Sequence, residues 1–160
     1  MVMSPERRLR HPALQLSVHR RGVRRMVNGV EYHVDLRCRH QFAPEYEGGA
    51  PRFLCKRIMP GAVVYNVGAN VGVLAVQLAR WSGPRGRVLA FEPNPYAAGL
   101  LTRNLRLNRL DSQVEIVSVA IGDTVGDVTL HVSGDSGMAR VMRPLAEYGQ
   151  VYLESRAGAR

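Results

Sequence analysis

The sequence predicts an α/β fold, a partial Rossmann-like doubly wound sheet that stops after about the third core strand. Three observations carry that prediction. Residues 62–67 form a continuous apolar run without alternation, the pattern of a strand covered on both faces in a parallel sheet. From there strand-like and helix-like stretches alternate up to residue 120, at the spacing of one half of a doubly wound fold. A glycine-bearing turn follows the first of these strands and a glutamate ends the second, where such sheets bind ligands.

Each element has its own justification. Residues 1–29 carry seven arginines against one glutamate with weak periodicity, and read as a loosely ordered basic arm. Residues 30–36 (VEYHVDL) alternate as a strand, and 41–51 read as a Gly/Pro/Glu-rich loop leading into a short helix near 52–58. Pro60-Gly61 turns the chain into the apolar strand. A helix over 70–81 puts Val73, Leu74, Val76 and Leu78 at three- and four-residue spacing, and Ser82-Gly83-Pro84 stops it. Residues 87–91 form the second strand. Asn94 is a good N-cap and Pro95 suits the first turn of a helix running to about 108, with Leu100, Leu101 and Leu105 inward and Arg103 and Arg106 outward. Residues 114–120 supply a third strand and 125–132 a fourth element. The implied organisation is a basic arm (1–29), an N-terminal strand and short helix (30–59), a cofactor-binding half-domain (60–142) and a C-terminal tail (143–160).

Composition narrows the class. With 160 residues, 46% hydrophobic and 22% charged, the chain suits one globular domain and excludes a disordered, collagen-like or coiled-coil protein. The net charge of +9 is lopsided, with 12 basic and 5 acidic side chains before residue 61 and 10 and 8 after it. Cys38 and Cys55 form no CxxC pair and too sparse a set for a secreted disulfide scaffold, so a reducing cytoplasm is expected. The charge-free run 58–79 contains Pro60, Gly61, Asn66, Gly68, Asn70 and Gly72, which no lipid-embedded helix would carry together. No membrane segment and no cleavable leader are read, and a soluble protein is expected.

The chemistry concentrates at two strand ends. Asn66-Val67-Gly68-Ala69-Asn70-Val71-Gly72 leads from the first strand into a helix N-terminus, where glycines let backbone approach a ligand and free N–H groups favour an anionic group. Glu92 ends the second strand, 20 residues after Gly72, where a carboxylate can accept hydrogen bonds from a ribose diol. Each alone is a loop and a solvated glutamate; in this order they point to a nucleoside-containing cofactor. A dinucleotide wants glycine where this chain has Asn70, which favours S-adenosylmethionine, whose turn tolerates an asparagine. An NAD(P)-binding dehydrogenase fragment stays open, because VGVLAVQLAR is similar to the corresponding helix of medium-chain zinc-type dehydrogenases.

Four motifs then carry a resemblance. Val67-Gly68-Ala69-Asn70-Val71-Gly72, Phe91-Glu92-Pro93-Asn94-Pro95, Leu105-x-Leu107-Asn108-x-Leu110 and Ala120-Ile121-Gly122-Asp123, in order over roughly 60–142 and including VTLHVSGDSGMARV, resemble the FkbM-type methyltransferase family. The resemblance implies a class I fold and S-adenosylmethionine-dependent methyl transfer to a hydroxyl of a sugar or natural product. By that likeness Asn66, Gly68, Ala69, Asn70 and Gly72 hold the methionine end, Glu92 holds the ribose, Asn94 is a further cofactor-binding residue, and Ala120 to Asp123 lie beside the adenine; Asp123 reads equally well as a turn residue. The likeness nominates no general base and no metal.

Two departures matter. The family pattern opens its glycine motif with aspartate, and Asn66 keeps that shape without the charge, a loss of ~1–2 kcal/mol in holding the amino end of the cofactor. The family's further strand, ending in an Ile-Asp-Val-Glu-Gly-like segment, has no counterpart in LAEYGQVYLESRAGAR. The first strand should therefore be an open apolar edge, covered by residues 151–154, by a second copy of the chain or by a partner protein. A non-catalytic remnant binding cofactor or a partner is the alternative to an enzyme. His33, Cys38, His40 and Cys55 fit no ligand spacing for zinc, His131 reads as a packed or solvated residue, and Trp81 packs on the sheet. Nucleic acid is set aside as a partner, because the basic arm has no interleaved aromatics for stacking.

Overall fold

A computed structural model describes residues 21–123, 125–132, 139–141 and 153–159. It opens on an antiparallel hairpin, β1 (Val23–Val27) and β2 (Val30–Val34), with Val23 opposite Val34 and Val27 opposite Val30. The two-residue turn is Asn28-Gly29, both at positive φ (48° and 83°), the combination that lets a hairpin follow the right-handed twist of its strands. This corrects the reading of 1–29 as a basic arm, at least over β1; residues 1–20 lie outside the described residues. A 3-10 helix, Leu36–Gln41, follows, capped by the Asp35 side chain, which accepts from Arg37 N. Helix α1 (Gly49–Cys55) starts three residues before the expected helix, after positive-φ Glu47 and Gly48 reverse the chain.

The central sheet has three parallel strands, β3 (Val63–Val67), β4 (Arg87–Phe91) and β5 (Val114–Val117), in the order β3-β4-β5. Helices α2 (Val73–Ser82) and α3 (Pro95–Leu107) connect them. The expected start of α2 at 70 moves to Val73, because Gly68, Asn70 and Gly72 all hold positive φ, which a right-handed helix cannot accommodate. β5 stops at Val117 rather than 120, where Val119 N turns back onto Val117 O.

Register sets the two faces. Val64, Asn66, Val88, Ala90, Val114 and Ile116 line up across the strands and face inward. The opposite face carries Val63, Tyr65 and Val67, which are 58%, 66% and 61% exposed, with Tyr65 stacked on Phe91 and Arg87 paired with Glu115. The expectation that β3 is buried on both faces is therefore wrong. An apolar run reports that a strand can be covered, and here only one face is. Among the described residues β3 is also the sheet edge, as expected.

The fourth element, β6 (Gly126–Val132), belongs to a second, antiparallel sheet with β7 (Ala139–Val141) and β8 (Leu153–Ala159), in the order β7-β6-β8. The residues expected to cover β3 thus pair elsewhere: Leu153 sits opposite Val132 and Glu154 opposite His131. Residues 151 and 152, the rest of the tail from 143 to 150, and the middle of VTLHVSGDSGMARV (133–138) lie outside the described residues.

Polar side chains fix the hairpin to the α/β unit. Asn104, fully buried on α3, accepts from Asp35 N (2.8 Å) and donates to Val71 O (2.8 Å). One turn later Asn108 accepts from His33 N and donates to His33 O. Asn28 donates to Gln77 Oε1 on α2 (2.8 Å). Asp35 itself is buried and takes hydrogen bonds from Arg37, with Arg103 of α3 as a second cation.

The Arg37 hydrogen bonds hold the Asp35 carboxyl below its ordinary value of 3.8, at about 2, against the opposing effect of burial. A depressed carboxyl stabilises the fold fully above about pH 4 and stops doing so as pH falls through about 2. Asp35→Asn should lower unfolding free energy by about 2 kcal/mol near neutrality. In urea titrations at descending pH the gap from wild type should close between about pH 4 and 2; a gap independent of pH contradicts this account.

Candidate cofactor-binding site

The carboxyl ends of β3 and β4 are built as one piece. Gly68 N and Ala69 N both donate to Phe91 O, at 3.0 Å each, pinning the turn after β3 to the end of β4. Gly72 N closes the turn onto Ala69 O (2.9 Å). Glu92 then joins the two loops: Oε2 accepts from Asn70 N (2.7 Å) and Oε1 from Asn94 N (2.9 Å). Glu92 is 6% exposed, yet each carboxylate oxygen keeps a lone pair for a further donor. Asn94 is buried and caps α3 through Tyr96 N, and Pro95 occupies the first turn, where a missing N–H costs nothing.

The two glycines do different jobs. A Cβ on Gly72 would lie 2.3 Å from Leu101 Cδ1, a fully buried side chain, so this glycine lets α2 and α3 approach. A Cβ on Gly68 would meet nothing within 4 Å. The backbone there borders open space, as a ligand cradle requires.

The polar atoms left over test what the cradle fits. Asn66, at the end of β3, is 6% exposed and its Nδ2 has no hydrogen-bond partner; neither does the buried Oδ1 of Asn70. A donor near the end of β3 and an acceptor in the turn after it are thus unmatched, each costly while unpaired. The methionine end of S-adenosylmethionine carries a carboxylate for the first and an ammonium for the second. A dinucleotide pyrophosphate supplies acceptors only. The residues fit the methionine cofactor.

Of the residues named from sequence, the structure brings Gly68, Ala69, Asn70, Gly72, Glu92 and Asn94 together in this double loop, with Asn66 on β3 two residues before it. Ala120 is buried and Asp123 exposed, three and six residues beyond the end of β5, whose Val117 O accepts from Glu92 N. Sequence reasoning missed Gln41, which ends the 3-10 helix and accepts from Asn70 Nδ2 (3.3 Å) across 29 residues of sequence. No local signal marks such a contact. Cys38 is buried, with burial raising its thiol pKa, and Cys55 is exposed; both are free, and no group of potential ligands converges for a metal among the described residues.

Comparison with known proteins converges on the same chemistry. The TRM5/TYW2 methyltransferase domain matches residues 24–156. Ribosomal protein L11 methyltransferase of Pelotomaculum thermopropionicum is 39% identical over 66 residues, 41% of this chain and 21% of that one. TYW2 of P. horikoshii, solved in complex with MeSAdo, is 20% identical over 69% of this chain and 50% of its own, with a TM-score of 0.47. A Trm5 solved in complex with tRNALeu is 24% identical over 65% of this chain and 33% of its own, with a TM-score of 0.43. The chain spans about a quarter or less of the length of the curated relatives it matches.

Two expectations change. The FkbM-type likeness survives as an S-adenosylmethionine-dependent methyltransferase of class I fold, but the matching family is a different one, TRM5/TYW2. The setting aside of nucleic acid as a partner does not stand either, because the family shown is TRM5/TYW2 and a Trm5 is the protein solved with tRNALeu. It rested on missing aromatics in a single stretch, which say nothing about phosphate contacts.

Substitution separates the glycine roles. Gly72→Ala should cost more than about 2 kcal/mol of folding stability, because positive-φ strain adds to the clash with Leu101. Gly68→Ala should cost only about 1 kcal/mol of stability while weakening S-adenosylhomocysteine binding at least tenfold. Thermal melts with calorimetry read both; a Gly68→Ala protein that binds as wild type would place the ligand elsewhere.

Proposed function

Because the chain belongs to the TRM5/TYW2 methyltransferase domain family, whose cofactor is S-adenosylmethionine, we propose that it forms the donor half of an enzyme that methylates RNA. The observation that carries the donor side is the double loop clamped by Glu92, with its unmatched Asn66 and Asn70 amides. When bound, the cofactor supplies a methyl group on a sulfonium, already activated, so position and orientation do most of the remaining work. Glu92 receives the ribose hydroxyls, the Gly68 backbone admits the ligand, and Asn66 and Asn70 fix the amino-acid end. Residues 60–142 make up the cofactor half in this reading, with Ala120 and Asp123 bordering the base.

Family membership and a net charge of +9 support an RNA acceptor. A sugar or natural-product hydroxyl, the acceptor that the FkbM-type resemblance implies, competes with it. A cytoplasmic setting suits two free thiols, one exposed. No helix among the described residues is long and apolar enough to cross a membrane.

The test offers the full chain S-adenosylmethionine with a labelled methyl group, together with bulk cellular RNA and a panel of hydroxylated small molecules. Nuclease-sensitive label in RNA is the expected result. Label in the small molecules alone overturns the RNA acceptor and keeps the donor site. Cofactor binding with no transfer to either identifies a non-catalytic cofactor-binding domain.

A further inference from the structure

Beside the cofactor turn lies a second concavity, an open cleft of about 530 Å³ lined by Arg24, Arg25, Met26, Arg39, His40 and the 42–44 segment. One wall is β1, the other the 3-10 helix Leu36–Gln41 and the chain that leaves it. Both walls are tied down. Asn28, just past β1, donates from its backbone N to Pro44 O (2.8 Å) and from its side chain to Gln77. The 3-10 helix is fixed by the Asp35 cap and by Cys38, which is buried beside Asn104.

Charge is distributed unevenly around this frame. Arg37 and Arg103 share the single Asp35 carboxylate at the base of the hairpin, so both are engaged there. Arg24 reaches Glu31 at 3.6 Å, a pairing between two exposed side chains that contributes little. Arg25, Arg39 and His40 make no ion pair among the described residues, and Arg39 spends one guanidinium nitrogen on Leu36 O. Among the described residues no carboxylate lines the cleft, and Glu31 lies outside the lining on the far side of Arg24's ion pair. A rigid, cation-lined concavity with spare guanidinium donors suits a phosphodiester anion.

Its place in the chain gives the cleft a use. The helix that presents Arg39 and His40 ends at Gln41, and Gln41 accepts from Asn70 in the cofactor turn. Arg39 is thus two residues before the side chain that contacts the donor loop. We propose that the Arg24/Arg25/Arg39/His40 cleft is a phosphate-binding site that seats the RNA backbone next to the donor loop. This rests on the RNA-acceptor reading above and adds where the acceptor strand is gripped.

Fluorescence anisotropy of a labelled single-stranded RNA, titrated with the full chain at several salt concentrations, tests it. Each phosphate contact contributes about 0.7 to the salt slope for a single strand. Arg25→Ala/Arg39→Ala should weaken binding about tenfold and reduce the slope by about 1.4, while leaving S-adenosylhomocysteine affinity by calorimetry unchanged. Arg85→Ala/Arg106→Ala, which removes two exposed arginines elsewhere, should change the slope less than half as much. Taking differences cancels the contribution of the arginines before residue 21. Should Arg25→Ala/Arg39→Ala fail to bind S-adenosylhomocysteine, Arg25→Gln and Arg39→Gln are read singly, each expected to lower the slope by about 0.7. RNA binding with the wild-type slope in the cleft variants overturns the cleft and spares the RNA acceptor. A wild-type chain that binds S-adenosylhomocysteine but no RNA overturns both.

Discussion

The carboxylate of Glu92 holds the site together. Its two oxygens accept from Asn70 N and Asn94 N, which belong to different strand-to-helix loops, so one side chain sets the distance between the turn after β3 and the start of α3. A buried carboxylate that accepts from two backbone amides makes two charge-assisted hydrogen bonds. Loss of that clamp would free the turn at Asn70, whose positive φ of 49° is the one left-handed position there not held by glycine. Phe91 O receiving both Gly68 N and Ala69 N is the backbone half of the same clamp.

Around it, asparagines act as the mortar of the fold. Asn104 reaches Asp35, Cys38 and Val71 at once, so α3, the hairpin and the cofactor turn share one buried amide. Asn108 and Asn28 repeat the device at the other two joints, against His33 and against Gln77 with Tyr46. Such contacts couple the cationic hairpin to the donor loop through packed polar groups. They tie β1 and the 3-10 helix, which carry Arg24, Arg25 and Arg39, to the elements around the cofactor turn.

Much of this was legible in the sequence, and what was not has physical causes. β4 is found at its expected bounds, and the β3 and α3 bounds differ by one residue, because Pro60-Gly61, Ser82-Gly83-Pro84 and Asn94-Pro95 punctuate them locally. The glycine turn and Glu92 were readable because their spacing is fixed by one strand–helix–strand unit. β1 was hidden by Arg24 and Arg25, which are both exposed and break the alternation; Asn28-Gly29 was the signal that would have revealed it. The exposed face of β3 and the contact of Gln41 with Asn70 depend on what packs from afar, and no local pattern encodes that. The FkbM-type likeness drew on motifs around the cofactor, so it reached the methyltransferase class and named a family other than TRM5/TYW2.

The central claim is that the Glu92-clamped double loop is built for S-adenosylmethionine rather than for a dinucleotide. Isothermal calorimetry with S-adenosylhomocysteine and with NAD, on wild type and on Glu92→Ala, addresses it directly. The account predicts that S-adenosylhomocysteine binds wild type more tightly than NAD does. It also predicts that Glu92→Ala weakens S-adenosylhomocysteine at least tenfold, the loss of about 1.5–3 kcal/mol of charged hydrogen bonding. Tighter binding of NAD, or an S-adenosylhomocysteine affinity indifferent to Glu92→Ala, would contradict it.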